Sequence, residues 1–424
     1  MKGLKRQWYS KAKELIIGRV LYVGNNNNNG LNSNNNLNNK ARFVGITQTL
    51  AKTLFMMKTY DKLWERLCSY ENLQLAYRKA RKHKTFKPYV IEFEKNIKGN
   101  LLLLRTELLL HSYRPQPLKT FILRDPKTRK ICKSDFRDRV VHHALCNVIE
   151  PIFEKSFIHD SYANRKGKGT LKALERFEHF KRKATKNSTA TAFALKADIK
   201  QYFENIDHSV LVCIIKEKIR DQKVLWLIAR ILENYGKKGK GMPLGNLTSQ
   251  FFANVYLNQL DHFVKHTLKA KHYIRYVDDF VLLHSNKDVL SVYKRNISEF
   301  LKNVKLELHP DKTKTRDLKK GVGFLGFKIF IHHKRLKESN VRKMRRKMAN
   351  LKAMFNNGET GYDSIYSSFE GWLAYAKQGN TYHLRRTFVK EFESSFIDQI
   401  AGVEIGRWLN AAGKIQPPTF NNIY

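Results

Sequence analysis

Acidic residues are scarce in this chain: 37 Asp plus Glu stand against 80 Lys plus Arg in 424 residues, a formal net charge of +43. Such an excess makes a folded chain repel itself unless a polyanion neutralises it, so nucleic acid is the natural partner. Cysteine is nearly as rare. The four present (Cys68, Cys132, Cys146 and Cys213) form no C-x-x-C pair, which excludes a cysteine-framed zinc site and a disulfide scaffold and suits a reducing cytoplasm. Long apolar runs are missing too. The most apolar stretch, Leu101 to Leu110, is broken by Arg105 and Glu107 and is too short to cross a bilayer. Leu15-Ile16-Ile17 is shorter than a signal-peptide core. No membrane association is expected.

What is present suits a globular protein. Hydrophobic residues make up 42%, and the length allows two or three domain-sized units. Between Asn25 and Asn39 eleven of fifteen residues are Asn, and nothing there can build a core. Helical apolar spacing begins over Tyr60 to Lys82 and Pro88 to His111. Phe121 to Ile131 predicts a hairpin turning at Asp125-Pro126. Helices follow over Phe136 to Val148, Leu171 to Lys183 and Leu247 to Thr267. Ala192 to Ile199 and Gly323 to Ile331 are strand-like, and Tyr273 to Ser285 predicts two short strands around an acidic turn. The remainder is expected to be helical and basic. Mixed strands and helices with a separate helical end predict an α+β or α/β architecture in more than one lobe.

Two segments carry chemistry. In Phe193-Ala-Leu-Lys-Ala-Asp198 an apolar strand ends on a carboxylate, and in Tyr273-Ile-Arg-Tyr-Val-Asp278-Asp279-Phe280 two carboxylates occupy a hairpin turn. Acidic neighbours repel unless a cation neutralises them. Mg²⁺, a hard ion that takes one or two carboxylates plus substrate phosphates, suits such a set. Two such ions would stabilise an attacking and a leaving oxygen together. Either motif alone reads equally well as a turn pair or a strand-end cap. Both in one very basic chain favour the metal site.

Tyr276-Val-Asp278-Asp279 resembles the tyrosine-x-aspartate-aspartate signature of reverse transcriptases. The resemblance extends to Phe136-Arg-Asp-Arg-Val-Val141, Ser161-Tyr-Ala163, the strand ending on Asp198, Met242-Pro-Leu-Gly245, Leu308-His-Pro-Asp-Lys312 and Phe324-Leu-Gly-Phe327, in the family's order. It covers about Tyr60 to Arg386. It implies an α+β right hand: fingers over 56–190, a palm of antiparallel sheet and helices over 191–333, and a helical basic thumb over 334–424, after an Asn-rich extension over 1–55. The family's activity is RNA-directed DNA polymerisation. Its site residues fall here on Asp198, Asp278 and Asp279 with the Ile199 carbonyl for two Mg²⁺ ions (Mn²⁺ as substitute), and on Lys312 as proton donor to pyrophosphate. Arg124, Lys127 and Arg129 would face the triphosphate, and Phe203 stands at the position that rejects a ribose hydroxyl. Leu244, Gly245 and Gln250 would line the nucleotide pocket, with Phe324, Leu325, Gly326 and Phe327 as primer grip. Arg165, Lys166, Lys168, Arg342, Arg345 and Arg346 would meet the template–primer backbone. Plainer alternatives stand beside several of these: Phe203 as a core aromatic, Lys312 as a surface lysine, the 124–129 cations as a solvated turn.

Leu244-Gly-Asn-Leu-Thr-Ser-Gln250 has an aliphatic residue before Gly and Ser-Gln after it, where group II intron enzymes have Gln and Ser-Pro. In this it is similar to the enzymes of diversity-generating retroelements, which misread template adenines. Replacing an amide by an alkyl chain removes a hydrogen-bonding contact and loosens discrimination between bases. The Asn-rich start looks like the translated template repeat of such an element, which would make Met56 or Met57 the natural start. The partners implied are template RNA, cDNA or primer, dNTPs and a small basic accessory protein. Alternatives are an anti-phage defence or group II intron-like enzyme, and, of another class, an inactive RNA-binding scaffold. The pocket motif and the lack of a Cys- or His-rich nuclease cluster after His333 weigh against the intron type.

Overall fold

The computed structural model describes residues 58–124, 128–235, 239–397 and 399–404. The expectations placed on residues 1–55, Met56, Met57, Lys127 and 405–424 lie outside them. Within the unit Tyr60–Tyr424 the elements run α1 (Tyr70–Arg81), α2 (Ile97–Leu109), β1 (Lys119–Leu123), β2 (Arg129–Lys133), α3 (Phe136–Glu154), α4 (Thr170–Ala184), β3 (Phe193–Asp198), α5 (Tyr202–Asn205), α6 (His208–Lys216), α7 (Gln222–Glu233) and α8 (Leu247–His262). Then come β4 (Tyr273–Tyr276), β5 (Asp279–His284), α9 (Lys287–Asn303), β6 (Lys314–Asp317), β7 (Val322–Phe324), β8 (Phe327–Ile329), β9 (Lys334–Leu336), α10 (Glu338–Asn356), α11 (Tyr362–Ala376) and α12 (Tyr382–Ser395). The fold is α+β, and every pair of strands in its sheets is antiparallel.

The central sheet has the order β4-β5-β3-β6. Its strands β4 and β5 and most of β3 are apolar on both faces because both faces are covered, while the edge strand β6 is polar and partly exposed. Alternate residues project to opposite sides of a strand: Leu195, Ala197, Tyr273, Phe280 and Leu282 enter one core, while Ala194, Ile274, Val281 and Leu283 enter another. The first core takes α8, whose Phe251, Phe252, Val255, Tyr256, Leu257 and Leu260 are all buried. The helix is buried nearly all round, its polar Thr248, Ser249, Asn254, Asn258 and Asp261 included, and such buried polar groups require internal partners. The second core takes α4, through Ala173, Leu174, Phe177 and Phe180.

Several boundaries differ from the sequence expectation. α3 runs on through Pro151 to Glu154 rather than stopping near Val148. The long helix expected to reach Thr267 changes at Phe263 into a π-helical turn, Phe263–Thr267. The segment 334–336, expected to be helical, is instead the third strand of the sheet β7-β8-β9. Backbone pairing with β8 outweighs local preference there. Phe324 and Phe327 pair across a two-residue turn in which Leu325 and Gly326 both have positive φ (43° and 86°), the backbone that a tight hairpin's twist requires. The turn is clamped from outside: Tyr375 Oη donates to the Leu325 carbonyl at 3.0 Å, and Lys337 N–H and Asn340 Nδ2 donate to that of Gly326 at 3.0 and 3.1 Å. A side chain at 326 would collide with Tyr375.

Candidate active site

The register of the central sheet brings the acidic residues together. Asp198 ends β3 directly opposite Asp279, which begins β5, and Asp278 sits in the turn between β4 and β5. Burial and the neighbouring Asp198 charge push the Asp278 carboxyl above the ordinary carboxylate range. Asp279 is pushed up to about 6, chiefly by burial, against the opposing pull of Lys196. Lys196 Nζ lies 3.1 Å from Asp279 Oδ2, and Lys312 Nζ donates to Asp198 Oδ1 at 2.8 Å. Lys196 was not singled out from the sequence. Its signal was the strand period, which puts residues 196 and 198 on one face.

Among the described residues no three His, Cys, Asp or Glu side chains stand together as a ready metal cage, and two lysines take carboxylate oxygens of Asp198 and Asp279. The residues nevertheless fit a divalent cation. Their donors are hard carboxylate oxygens, Asp279 Oδ1 is buried with no hydrogen-bond partner, and the like charges of Asp198 and Asp278 raise each other's energy until a cation offsets them. At Ile199 the bridge to Leu308 is made by Lys200 N–H to the Glu307 carbonyl (3.0 Å) and by His309 N–H to that of Asp198 (2.7 Å). That bridge leaves the Ile199 carbonyl unused. It also fixes the segment that carries Lys312.

The turn itself is strained and anchored. Val277 has φ +58°, a left-handed conformation that costs a β-branched residue about 1–2 kcal/mol. Arg275 Nη1 donates to the Val277 carbonyl at 2.9 Å. The same guanidinium donates to both oxygens of Asp261 on α8, at 2.7 and 2.6 Å, and to Asn254 Oδ1 at 3.2 Å. Arg275 and Asp261 are both fully buried, and Tyr273 Oη adds a bond to Asp261 Oδ1 at 2.8 Å. Asn254 Nδ2 donates to the Ala163 carbonyl at 2.9 Å, and Tyr162 N–H to the Arg275 carbonyl at 3.0 Å. Thus Ser161-Tyr-Ala163 is tied to the acidic turn through the backbone. None of Arg275, Asp261 and Asn254 was read as functional. The available signal was one charge of each sign inside otherwise apolar segments.

The hairpin β1–β2 reaches the same site. Arg129 stands close enough for its charge to act on Asp278. Arg124 is exposed at the other side of the hairpin tip. Cys132 N–H donates to the Leu244 carbonyl at 3.0 Å, and Met242 N–H to that of Phe203 at 2.7 Å. The hairpin, the 242–245 turn and α5 are therefore sewn together. Phe203 is half-buried, edge-on to the Tyr202 ring at 5.4 Å. Gln250 lies half-buried in the first turn of α8. Gly245 has φ +117°, and a Cβ there would come within 2.9 Å of Ile131 Cγ2. Gly245→Ala is expected to cost about 1–2 kcal/mol from the backbone alone and to push β2 away from the turn. A lower urea midpoint together with a raised KM for nucleotide checks both effects.

The expected backbone-binding residues divide. Arg342, Arg345 and Arg346 are exposed on α10. Lys166 is exposed as well, but Lys168 donates to the His159 carbonyl at 2.9 Å. Arg165 departs from expectation. Its side chain is 7% exposed and bonds Glu154 (2.6 Å) and the carbonyls of Ile158 (2.6 Å) and Ser161 (2.9 Å). It braces its own loop with four of its five N–H groups, because Glu154 on the preceding helix faces it.

Residues 123–329 match the family model for reverse transcriptase (RNA-dependent DNA polymerase). Protein YkfC of Escherichia coli is 25% identical over 284 residues, 57% of this chain and 74% of YkfC. The group II intron-encoded protein LtrA of Lactococcus lactis is 31% identical over 163 residues, 36% of this chain and 26% of LtrA. The chain thus spans about a quarter of LtrA's length and three quarters of YkfC's. Among solved structures, apo telomerase from Candida tropicalis aligns with a TM-score of 0.42 at 15% identity, over 55% of this chain and 59% of that one. Among the described residues no helix is long and apolar enough to cross a membrane.

Proposed function

We propose that this chain, which belongs through residues 123–329 to the reverse transcriptase family, copies a template RNA into DNA at the Asp198–Asp278–Asp279 site and does so for a diversity-generating retroelement. The observation that supports the site most directly is the register pairing of Asp198 with Asp279 beside a turn carrying Asp278. In this reading the hairpin and helices before residue 190 are fingers, the four-stranded sheet is the palm, and the helices from 338 are the thumb. Asp198, Asp278 and the Ile199 carbonyl would hold two divalent cations, with Asp279 more peripheral. Bound there, the cations would offset charge on the attacking 3′-oxygen and the leaving pyrophosphate.

The chain's own groups do the rest. Arg129 and Arg124 pair with triphosphate oxygens, the guanidinium suiting two oxygens at once. Lys312, held now by Asp198, supplies a proton to the pyrophosphate oxygen. The Phe203 ring stands where a 2′-hydroxyl would go. Phe203→Val is therefore expected to raise ribonucleotide incorporation relative to deoxyribonucleotide by roughly tenfold or more, since the discrimination is a clash and not a bond. Competition between dCTP and CTP in single-nucleotide extension measures it.

Leu244 and the Asn-rich start favour the retroelement class. Primer extension on RNA with Mg²⁺, with misincorporation scored at each template base, tests both levels. Errors concentrated opposite adenine, reduced several-fold in Leu244→Gln, support the reading. Faithful copying of adenine by the native chain overturns the retroelement assignment and leaves the polymerase intact. The likeness to LtrA favours a second reading, an intron-type enzyme, which predicts that faithful result.

A further inference from the structure

Away from the carboxylates, the C-terminal half of α4 and the two residues before β4 enclose an open cleft of about 830 Å³. Five of its lining side chains are cationic (Arg176, Arg182, Lys183, Lys186 and Lys271) and none is acidic. Two acids close by in the chain or in space are already taken: Asp160 by Arg176 at 2.7 Å and Lys265 at 2.9 Å, and Glu178 by Lys181 at 2.7 Å. Arg182, Lys183, Lys186 and Lys271 are exposed. Held together without a counter-charge they repel, and a polyanion is what relieves them.

The wall of the cleft is rigid. Lys186, Asn187 and Ser188 have φ of +47°, +59° and +74°, three successive left-handed residues without a glycine. Each such residue costs about 1–2 kcal/mol. Strain of this kind persists only where the surroundings impose it, and it gathers at binding sites. Asn187 N–H to the Arg182 carbonyl (2.8 Å) and Ala190 N–H to that of Thr185 (2.9 Å) hold the run in place. Two neutral hydrogen-bonding groups sit among the cations. Asn187 is exposed, and His272 has a buried Nδ1 with no hydrogen-bond partner.

The cleft is not part of the polymerising site. Thr170, at the start of α4, meets Tyr276 beside the acidic turn, their hydroxyls 3.1 Å apart. Phe180, further along the same helix, meets His272 with ring centres 5.2 Å apart. Ten residues of helix separate the two contacts, about 15 Å. The cleft therefore opens about 15 Å along α4 from the acidic turn.

We propose that this cleft is a second RNA-binding site, which takes the phosphate backbone of a structured part of the RNA outside the templated duplex. The cations serve the phosphates, while the exposed Asn187 amide offers the donor and acceptor that a 2′-hydroxyl uses and DNA lacks. The choice of RNA rests on the polymerase reading above, and the test separates the two. Arg182→Gln, Lys183→Gln and Lys186→Gln are combined in the full chain, all at exposed positions. Affinity is measured against salt for a long hairpin-bearing RNA, for a DNA hairpin of the same sequence, and for a short template–primer duplex.

For the long RNA, affinity near 0.15 M salt is expected to fall roughly tenfold or more and the log–log salt slope to flatten by about 2 to 3. Extension kinetics on the short duplex should stay unchanged. Unaltered affinity and slope for the long RNA overturn the site. Equal losses on the DNA hairpin overturn its assignment to RNA, and equal losses on the short duplex overturn its separateness. If the native chain extends no primer but the RNA-specific loss appears, the polymerase reading fails and this site stands.

Discussion

Asp278→Asn is expected to reduce dNTP incorporation on an RNA template by roughly a thousandfold or more, on the order of 4 kcal/mol in the barrier, while making the metal-free protein no less stable. The two effects share one cause. Asp278 carries its charge in a half-buried place beside Asp198, and both desolvation and that neighbour push its carboxyl above the ordinary range. The ionised group is thus a load on the folded state. An isosteric amide removes the like charge and, with it, a ligand of the proposed cation site. Thermal melting provides a readout independent of activity. Mg²⁺ should raise the native chain's Tm, because a ligand bound only by the folded state stabilises it, and the variant should lose most of that rise. Incorporation at more than a tenth of the native rate would remove Asp278 from the catalytic role.

Arg275→Met is expected to cost about 3–5 kcal/mol of unfolding free energy, because it leaves Asp261 charged, fully buried and without its partner. Its effect on polymerisation comes through position. The lost guanidinium no longer holds the Val277 carbonyl, and a turn with Val277 at φ +58° has a more relaxed conformation available. kcat should fall with little change in KM for primer. The double variant Arg275→Met/Asp261→Leu separates the two contributions. Removing both charges should restore much of the stability, since an apolar pair can replace a buried ion pair at small cost. It should not restore kcat, since nothing then holds the turn. Urea denaturation and single-turnover extension measure the two. Recovery of kcat along with stability would show that the arginine matters only to folding.

The second effect was illegible in the sequence for a physical reason. Arg275 and Asp261 lie fourteen residues apart, one on a strand and the other on a helix. A charged residue in an apolar segment is visible, but its partner depends on how the helix packs beneath the sheet. Arg165 shows the converse. A basic residue in a Gly-rich, Lys-rich loop looks like a phosphate contact until the fold sets Glu154 beside it. Phe324-Leu-Gly-Phe327 was legible as a motif inside a strand-like stretch, yet the turn at its centre and the clamping of that turn by Tyr375 and Asn340 depend on helices that begin more than ten residues later.

Composition and short-range pattern alone pointed to a nucleic-acid partner, to mixed strands and helices and to strands ending in carboxylates, and the resemblance supplied the α+β class and the order of the motifs. Charge is additive along a chain, and a strand's period is local, so neither depends on knowing the fold. Tertiary structure decided what sequence distance hides. It set the register that puts Asp198 opposite Asp279, the lysines that hold their oxygens, and the buried arginine that keeps the turn in its strained shape. It also gathered the basic cleft at the far end of α4 from residues 176–187 and 271–272. Each of these is a contact between groups that only packing brings within reach, and Coulomb energy and hydrogen bonding depend on that separation.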